Sequence, residues 1–151
     1  MKARSGFTLV EILIVVVILG ILAAIVIPQF TEASTEAKTS SLCTDLQTMR
    51  SQIELFKIQH NDNLPGWNGA TFIQAMTGYT LIDGTVQAGP GANVYGPYVQ
   101  QIPTNQFNDL DTIATAAATP AAADNTTGWF FNTTTGEWRA NDTDDPTHWS
   151  L

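Results

Sequence analysis

The sequence predicts an α+β protein in which one long N-terminal helix packs against a small C-terminal head with a short antiparallel sheet. Three observations carry this. Residues 12–27 contain no charged or hydrogen-bonding side chain. Beyond Pro28, apolar residues recur mostly every three or four positions as far as Phe56, the spacing of one helix face. The last third offers short aromatic and β-branched segments separated by turn residues.

The first element is the apolar run. Phe7 to Ile27 as a helix is roughly 30 Å long, about one hydrocarbon thickness. Thirteen of the residues from Ile12 to Ile27 are Ile, Leu or Val. At about −0.3 to −0.6 kcal/mol each they contribute roughly −4 to −8 kcal/mol toward membrane insertion. A carboxylate at the membrane centre costs about 2.5–3.5 kcal/mol. Glu11 lies near one end of the run, so the segment inserts despite it. Lys2 and Arg4 precede the run, whereas Glu32 and Glu36 follow it. The positive-inside rule therefore places residues 1–6 in the cytoplasm and the rest across the membrane.

Glu11 needs an explanation, because an intramembrane acid calls for a cationic partner. No Lys, Arg or His lies within a helical turn of it. Either the carboxylate snorkels to the headgroups, or its partner comes from another molecule. Pro28 removes a hydrogen bond and predicts a kink. Gly20 is a second weak point, or else a site of close helix packing.

After Pro28 the helix becomes amphipathic. Phe30, Ala33, Ala37, Leu42, Leu46, Met49, Ile53 and Phe56 form the stripe expected to cover the head. The breakers from His60 to Gly66 end the helix, and His60 is read as part of that end, where a cation is favoured. Residues 71–77 predict a short helix with Thr71 as its cap. Residues 80–87 and 94–101 are expected to be extended or looped. The low-complexity stretch at 112–127 predicts a mobile surface loop. Residues 128–141 predict a hairpin whose aromatics, Trp129, Phe130, Phe131 and Trp138, pack as core.

Composition excludes several functions. The 151 residues carry a net charge of −8, a field that repels phosphate backbones, so no nucleic acid is expected as partner. Cys43 is the only cysteine; it cannot form an intramolecular disulfide and is expected to be a small buried apolar residue, the alternative being an intermolecular bridge. His60 and His148 are the only histidines. Neither belongs to a nucleophile, phosphate-loop or paired-histidine motif, so no catalytic residues are assigned and no enzyme is expected. His148 beside Trp149 is read as a surface or terminal packing residue. Three Asn-x-Thr sequences, at Asn125, Asn132 and Asn141, are attributed to chance in a Thr- and Asn-rich chain. Asp142, Asp144 and Asp145 alternate oxygen ligands in a way that suits calcium. They lack the full EF-hand spacing, and the alternative is a solvated acidic loop.

The stretch Gly6-Phe7-Thr8-Leu9-Val10-Glu11, after basic residues and before a long apolar helix, resembles the prepilin processing motif. That motif belongs to type IV pilins and type II secretion pseudopilins. Residues 95–109, YGPYVQQIPTNQFND, resemble a Gly-Pro-Tyr segment of the major pseudopilins. The resemblance implies a pilin-like fold with a leader at 1–6, a transmembrane and filament-core helix at 7–28, and a soluble head at 29–151 that includes the second half of the long helix. It implies cleavage between Gly6 and Phe7 by prepilin peptidase and methylation of the new Phe7 amine. It implies pairing of that amine with Glu11 of a neighbouring copy. Gly20 and Pro28 match a glycine and a proline between which related helices loosen. The implied partners are copies of the chain in a helical filament, the peptidase, an inner-membrane assembly platform, minor pseudopilins and the membrane itself. Major pseudopilins also carry calcium near the C-terminus, which makes calcium the one cofactor expected. The head is expected in the periplasm, or outside the cell on a surface pilus. The two alternatives are a type IV pilin in adhesion, motility or DNA uptake, and a membrane-anchored binding head that does not polymerise.

Overall fold

The computed structural model describes residues 6–151. Lys2, Arg4 and the rest of the expected leader up to residue 5 lie outside the described residues. Helix α1 runs from Leu9 to Gln59 and contributes to two compact units, Met1–Thr39 and Ser40–Leu151.

In the first unit the large apolar side chains, from Phe7 through Ile27 and on to Phe30, are exposed. Helical structure continues through Gly20 and Pro28. Downstream, Thr31, Thr35 and Thr39 each donate a hydroxyl to the carbonyl four residues earlier, at 3.0–3.2 Å, so these polar groups are satisfied within the helix.

In the second unit α1 buries Leu42, Leu46, Met49, Ile53 and Phe56. The core stripe therefore begins at Leu42. Phe30, Ala33 and Ala37, expected on it, are exposed, because they precede the part of the helix that the head covers. Cys43 is also exposed, contrary to expectation. It follows Leu42 by one position, about 100° around the helix, and so points away from the buried stripe.

Helix α2 (Phe72–Thr77) starts from a capping box in which Thr71 and Gln74 satisfy each other's backbone N–H groups. Strands β1 (Tyr79–Leu81), β2 (Val86–Gln87) and β3 (Val94–Tyr95) form an antiparallel sheet in the order β2-β1-β3. The second sheet has the order β4-β5-β6, from β4 (Ile113–Ala116), β5 (Trp129–Asn132) and β6 (Trp138–Ala140). The expected hairpin is β5–β6, in antiparallel register with Phe131 opposite Trp138.

Strand β4 corrects the expectation of a mobile loop over 112–127. It pairs in parallel with β5, Ile113 opposite Trp129 and Ala116 opposite Asn132. Its Ala and Thr side chains are half-buried to exposed, as suits a sheet edge, and this small-residue composition hid it. The approach to β4 needs a glycine: a Cβ on Gly128 would lie 2.0 Å from the Leu110 carbonyl oxygen.

One core joins these elements: the α1 stripe, Phe72, Ala75 and Met76 of α2, Trp129 and Phe131 of β5, Trp138 and Ala140 of β6, and Tyr98 and Ile102 between the sheets. Trp138 stacks against Phe72 and Trp129, with ring centroids at 5.2 and 5.4 Å. Phe130, on the opposite face of β5, meets Trp149 of the terminal 3₁₀ turn η1 (His148–Ser150) at 5.5 Å.

Candidate functional site

The N-terminal motif is built around Thr8. Gly6 and Phe7 precede the helix, and Phe7 is exposed. Thr8 caps it: the Glu11 backbone N–H donates to the Thr8 hydroxyl oxygen at 3.2 Å. In return Glu11 Oε2 accepts from the Thr8 backbone N–H and hydroxyl, both at 2.8 Å. This is a capping box, with the carboxylate of the third helical residue reaching back to the cap. Within one chain Glu11 is therefore engaged through Oε2 and solvates the positive end of the helix dipole. The Thr-x-x-Glu spacing was the signal for Thr8, which attention to Glu11 alone overlooks.

Gly20 has open space around its α-carbon. Pro28 lies inside α1 and has no N–H to give the carbonyl four residues earlier. Next to it Thr31 donates its hydroxyl to the Ile27 carbonyl.

The acidic tail is arranged differently from an open metal loop. Asp142 is completely buried and His148 is 3% exposed. His148 Nδ1 lies 2.7 Å from Asp142 Oδ1, and Asn105 Nδ2 donates to Asp142 Oδ2 at 3.0 Å. Asp145 Oδ1 accepts from the Thr147 N–H and hydroxyl at 2.8 and 2.7 Å, which holds its carboxyl below the usual range. Asp144 is exposed. Among the described residues no three His, Cys, Asp or Glu side chains gather as a metal-binding group. Calcium requires six to eight oxygen ligands. With both oxygens of Asp142 already accepting protein donors, this arrangement does not fit the ion. Of the two expectations for His148, surface or terminal packing residue, the structure has the second: it is buried in the terminal turn as the partner of Asp142, and Asn105 is a site residue that the sequence did not reveal.

Two arginines hold the C-terminal segment. Arg50 of α1 donates to the Trp138 carbonyl at 2.8 and 3.1 Å and to the Leu151 carbonyl at 2.7 Å. Arg139 donates to the Trp149 carbonyl at 2.7 Å and pairs with Glu137 at 2.5 Å. The Arg139 bond, with a second from Thr119, holds the Glu137 carboxyl below its ordinary value.

At the other end of the core, His60 is fully buried and stacked on Phe56 at 3.8 Å. Its Nδ1 donates to the Phe56 carbonyl at 2.8 Å, since a carbonyl can only accept. Nε2 meets the Thr80 hydroxyl at 3.0 Å. Burial pushes the neighbouring Tyr98 hydroxyl up to about 12. His60 therefore ties the end of α1 to β1.

Residues 1–27 match the family model described as the prokaryotic N-terminal methylation motif. The type II secretion system core protein G of Pseudomonas aeruginosa is 41% identical over 59 residues, 39% of this chain and 42% of that protein. The type IV major fimbrial protein FimA of Dichelobacter nodosus is 38% identical over 86 residues, 57% of this chain and 51% of that protein. A fimbrial protein of Pseudomonas aeruginosa is 27% identical over 125 residues, 82% of this chain and 75% of that protein. The chain spans about half the length of the first two relatives. No solved structure matches. With the methylation motif at its N-terminus, a long apolar helix behind it and an α+β head, the chain is similar to type II secretion core protein G and to type IV fimbrial proteins.

Proposed function

We propose that the protein is a structural subunit of a bacterial pilus-like filament assembled from the inner membrane. One observation carries this most directly. The large apolar side chains from Phe7 to Ile27 are exposed in the single chain, although each buried one contributes about 1.5–3 kcal/mol. Such a helix requires lipid before assembly and other copies afterwards. The precursor sits in the inner membrane with its N-terminus in the cytoplasm and its head in the periplasm. Prepilin peptidase cuts between Gly6 and Phe7, and the Phe7 amine is methylated. In the filament Glu11 pairs with the Phe7 amine of a neighbour, and the helix loosens between Gly20 and Pro28. The inner-membrane assembly platform and minor pseudopilins act as partners, and the chain's own work is mechanical, with no catalytic step.

We favour a type II secretion pseudopilin, on the Gly-Pro-Tyr segment at residues 96–98 and the single cysteine. The second reading is a type IV pilin, with the head outside the cell. It is supported by the longer alignments to the fimbrial relatives. The mass of the membrane-extracted protein tests the shared claim. Loss of residues 1–6 together with gain of one methyl group is expected. An intact N-terminus would leave a membrane-anchored head that does not polymerise.

A further inference from the structure

Asp142 joins three separate parts of the head. Its Oδ1 faces His148 Nδ1 at 2.7 Å and its Oδ2 accepts from Asn105 Nδ2 at 3.0 Å. Asn105 also donates to the Gly128 carbonyl at 3.0 Å and accepts from the Phe107 N–H at 2.9 Å. The Phe107 ring covers the imidazole at 4.3 Å. The carboxylate thus links the end of β6, the loop at 105–107 and η1 by direct contacts. A buried carboxylate is tolerated only when its oxygens are satisfied. Here protein N–H groups satisfy both. Cys43, the only cysteine, offers no disulfide within the chain to hold this segment.

We propose that the His148 imidazole fills the place that a cation would take beside Asp142, so that the head closes its C-terminal segment without a divalent metal. The acidic sequence Asn141-Asp142-Thr143-Asp144-Asp145 has the composition of a calcium loop, but its one buried acid faces inward to a ring nitrogen. Asp145 turns to its own Thr147, and Asp144 stands in solvent. The device makes the stability of the head indifferent to chelators, and with it the supply of folded subunits. The proposal does not depend on filament formation and is tested on the single chain.

The experiment is thermal unfolding of the full-length protein in detergent micelles, with calcium at about 10 mM, above the millimolar affinities of extracellular calcium modules, or with excess EGTA. The expected result is a Tm that agrees within about 1 °C in the two buffers, whereas a site saturated a hundredfold above its Kd shifts Tm by several degrees. Calorimetric titration of the same sample with calcium is expected to show no binding. Asp144→Ala is expected to leave both results unchanged. His148→Ala is expected to lower Tm by roughly 10 °C or more, with part of the loss restored by free imidazole and none by calcium. A Tm that falls in EGTA, stoichiometric calcium uptake by the wild-type protein, or a His148→Ala variant as stable as wild type would each overturn the proposal. If His148→Ala does not fold, the calcium and EGTA comparison on the wild-type protein decides alone.

Discussion

Glu11 serves two partners at different stages of the proposed life of this chain. In the single molecule its carboxylate caps the helix through Thr8; in the filament proposed above it would meet an amine from another copy. Thr8→Ala removes the hydroxyl from both sides of the box. The first turn is then expected to weaken by about 1 kcal/mol, seen as faster amide exchange at Glu11 and Ile12 in micelles. Unchanged exchange there would remove the box as a stabilising element. A second residue-scale prediction concerns Glu137, whose carboxyl lies below its ordinary value of 4.5, first through Arg139 and then through Thr119. A depressed carboxyl adds stability that is fully present above its unfolded-state pKa and lost as pH falls through the folded value. Asp45, raised by desolvation, acts in the opposite direction. The head is therefore expected to melt at a lower temperature at pH 3 than at pH 6, with a smaller drop in Glu137→Gln. An equal drop in the variant would assign the acid sensitivity to other groups.

Among the elements, α1 was the most legible, because its periodicity survives over many turns. The sequence could not show where the head begins to cover it, since Phe30 and Ala33 fit the stripe as well as Leu42 and Leu46 do. Coverage depends on chain folded back from far downstream. Ile53→Ala is expected to destabilise the head by about 2–5 kcal/mol in chemical unfolding of the micellar protein. Phe30→Ala is expected to stay within about 0.5 kcal/mol. Similar losses from both would mean that the stripe extends to Phe30 in the single chain. The β5–β6 hairpin was legible from its aromatics and the turn at 132–136. Strand β4 was not, because Ala and Thr carry little periodic signal and a parallel partner sixteen residues further on leaves no turn chemistry to mark the pair. The Asp142–His148–Asn105 cluster was hidden for a similar reason. Its members lie 37 and 6 positions from Asp142, and the acidic composition of the tail pointed outward to solvent or metal.

At the scale of the whole molecule, the two units place opposite demands on their surroundings. The head buries an apolar core of its own, with Ile58 and Trp67 among the side chains left exposed, while the N-terminal half of α1 exposes its apolar side chains along every turn. The processing motif was readable because it is contiguous and local. Its consequence, assembly, belongs to many copies and leaves its mark on one chain only as an unpartnered helix and an acid near one end of it. Glu11→Ala is expected to preserve insertion and folding while reducing incorporation into filaments. The most direct measurement is a filament structure at side-chain resolution, assembled from the mature protein. The account predicts the apolar helices at the centre, the heads outside, and each Glu11 carboxylate within about 4 Å of the methylated Phe7 amine of an adjacent copy. Helices on the outer surface, or Glu11 distant from every Phe7 amine, would contradict it.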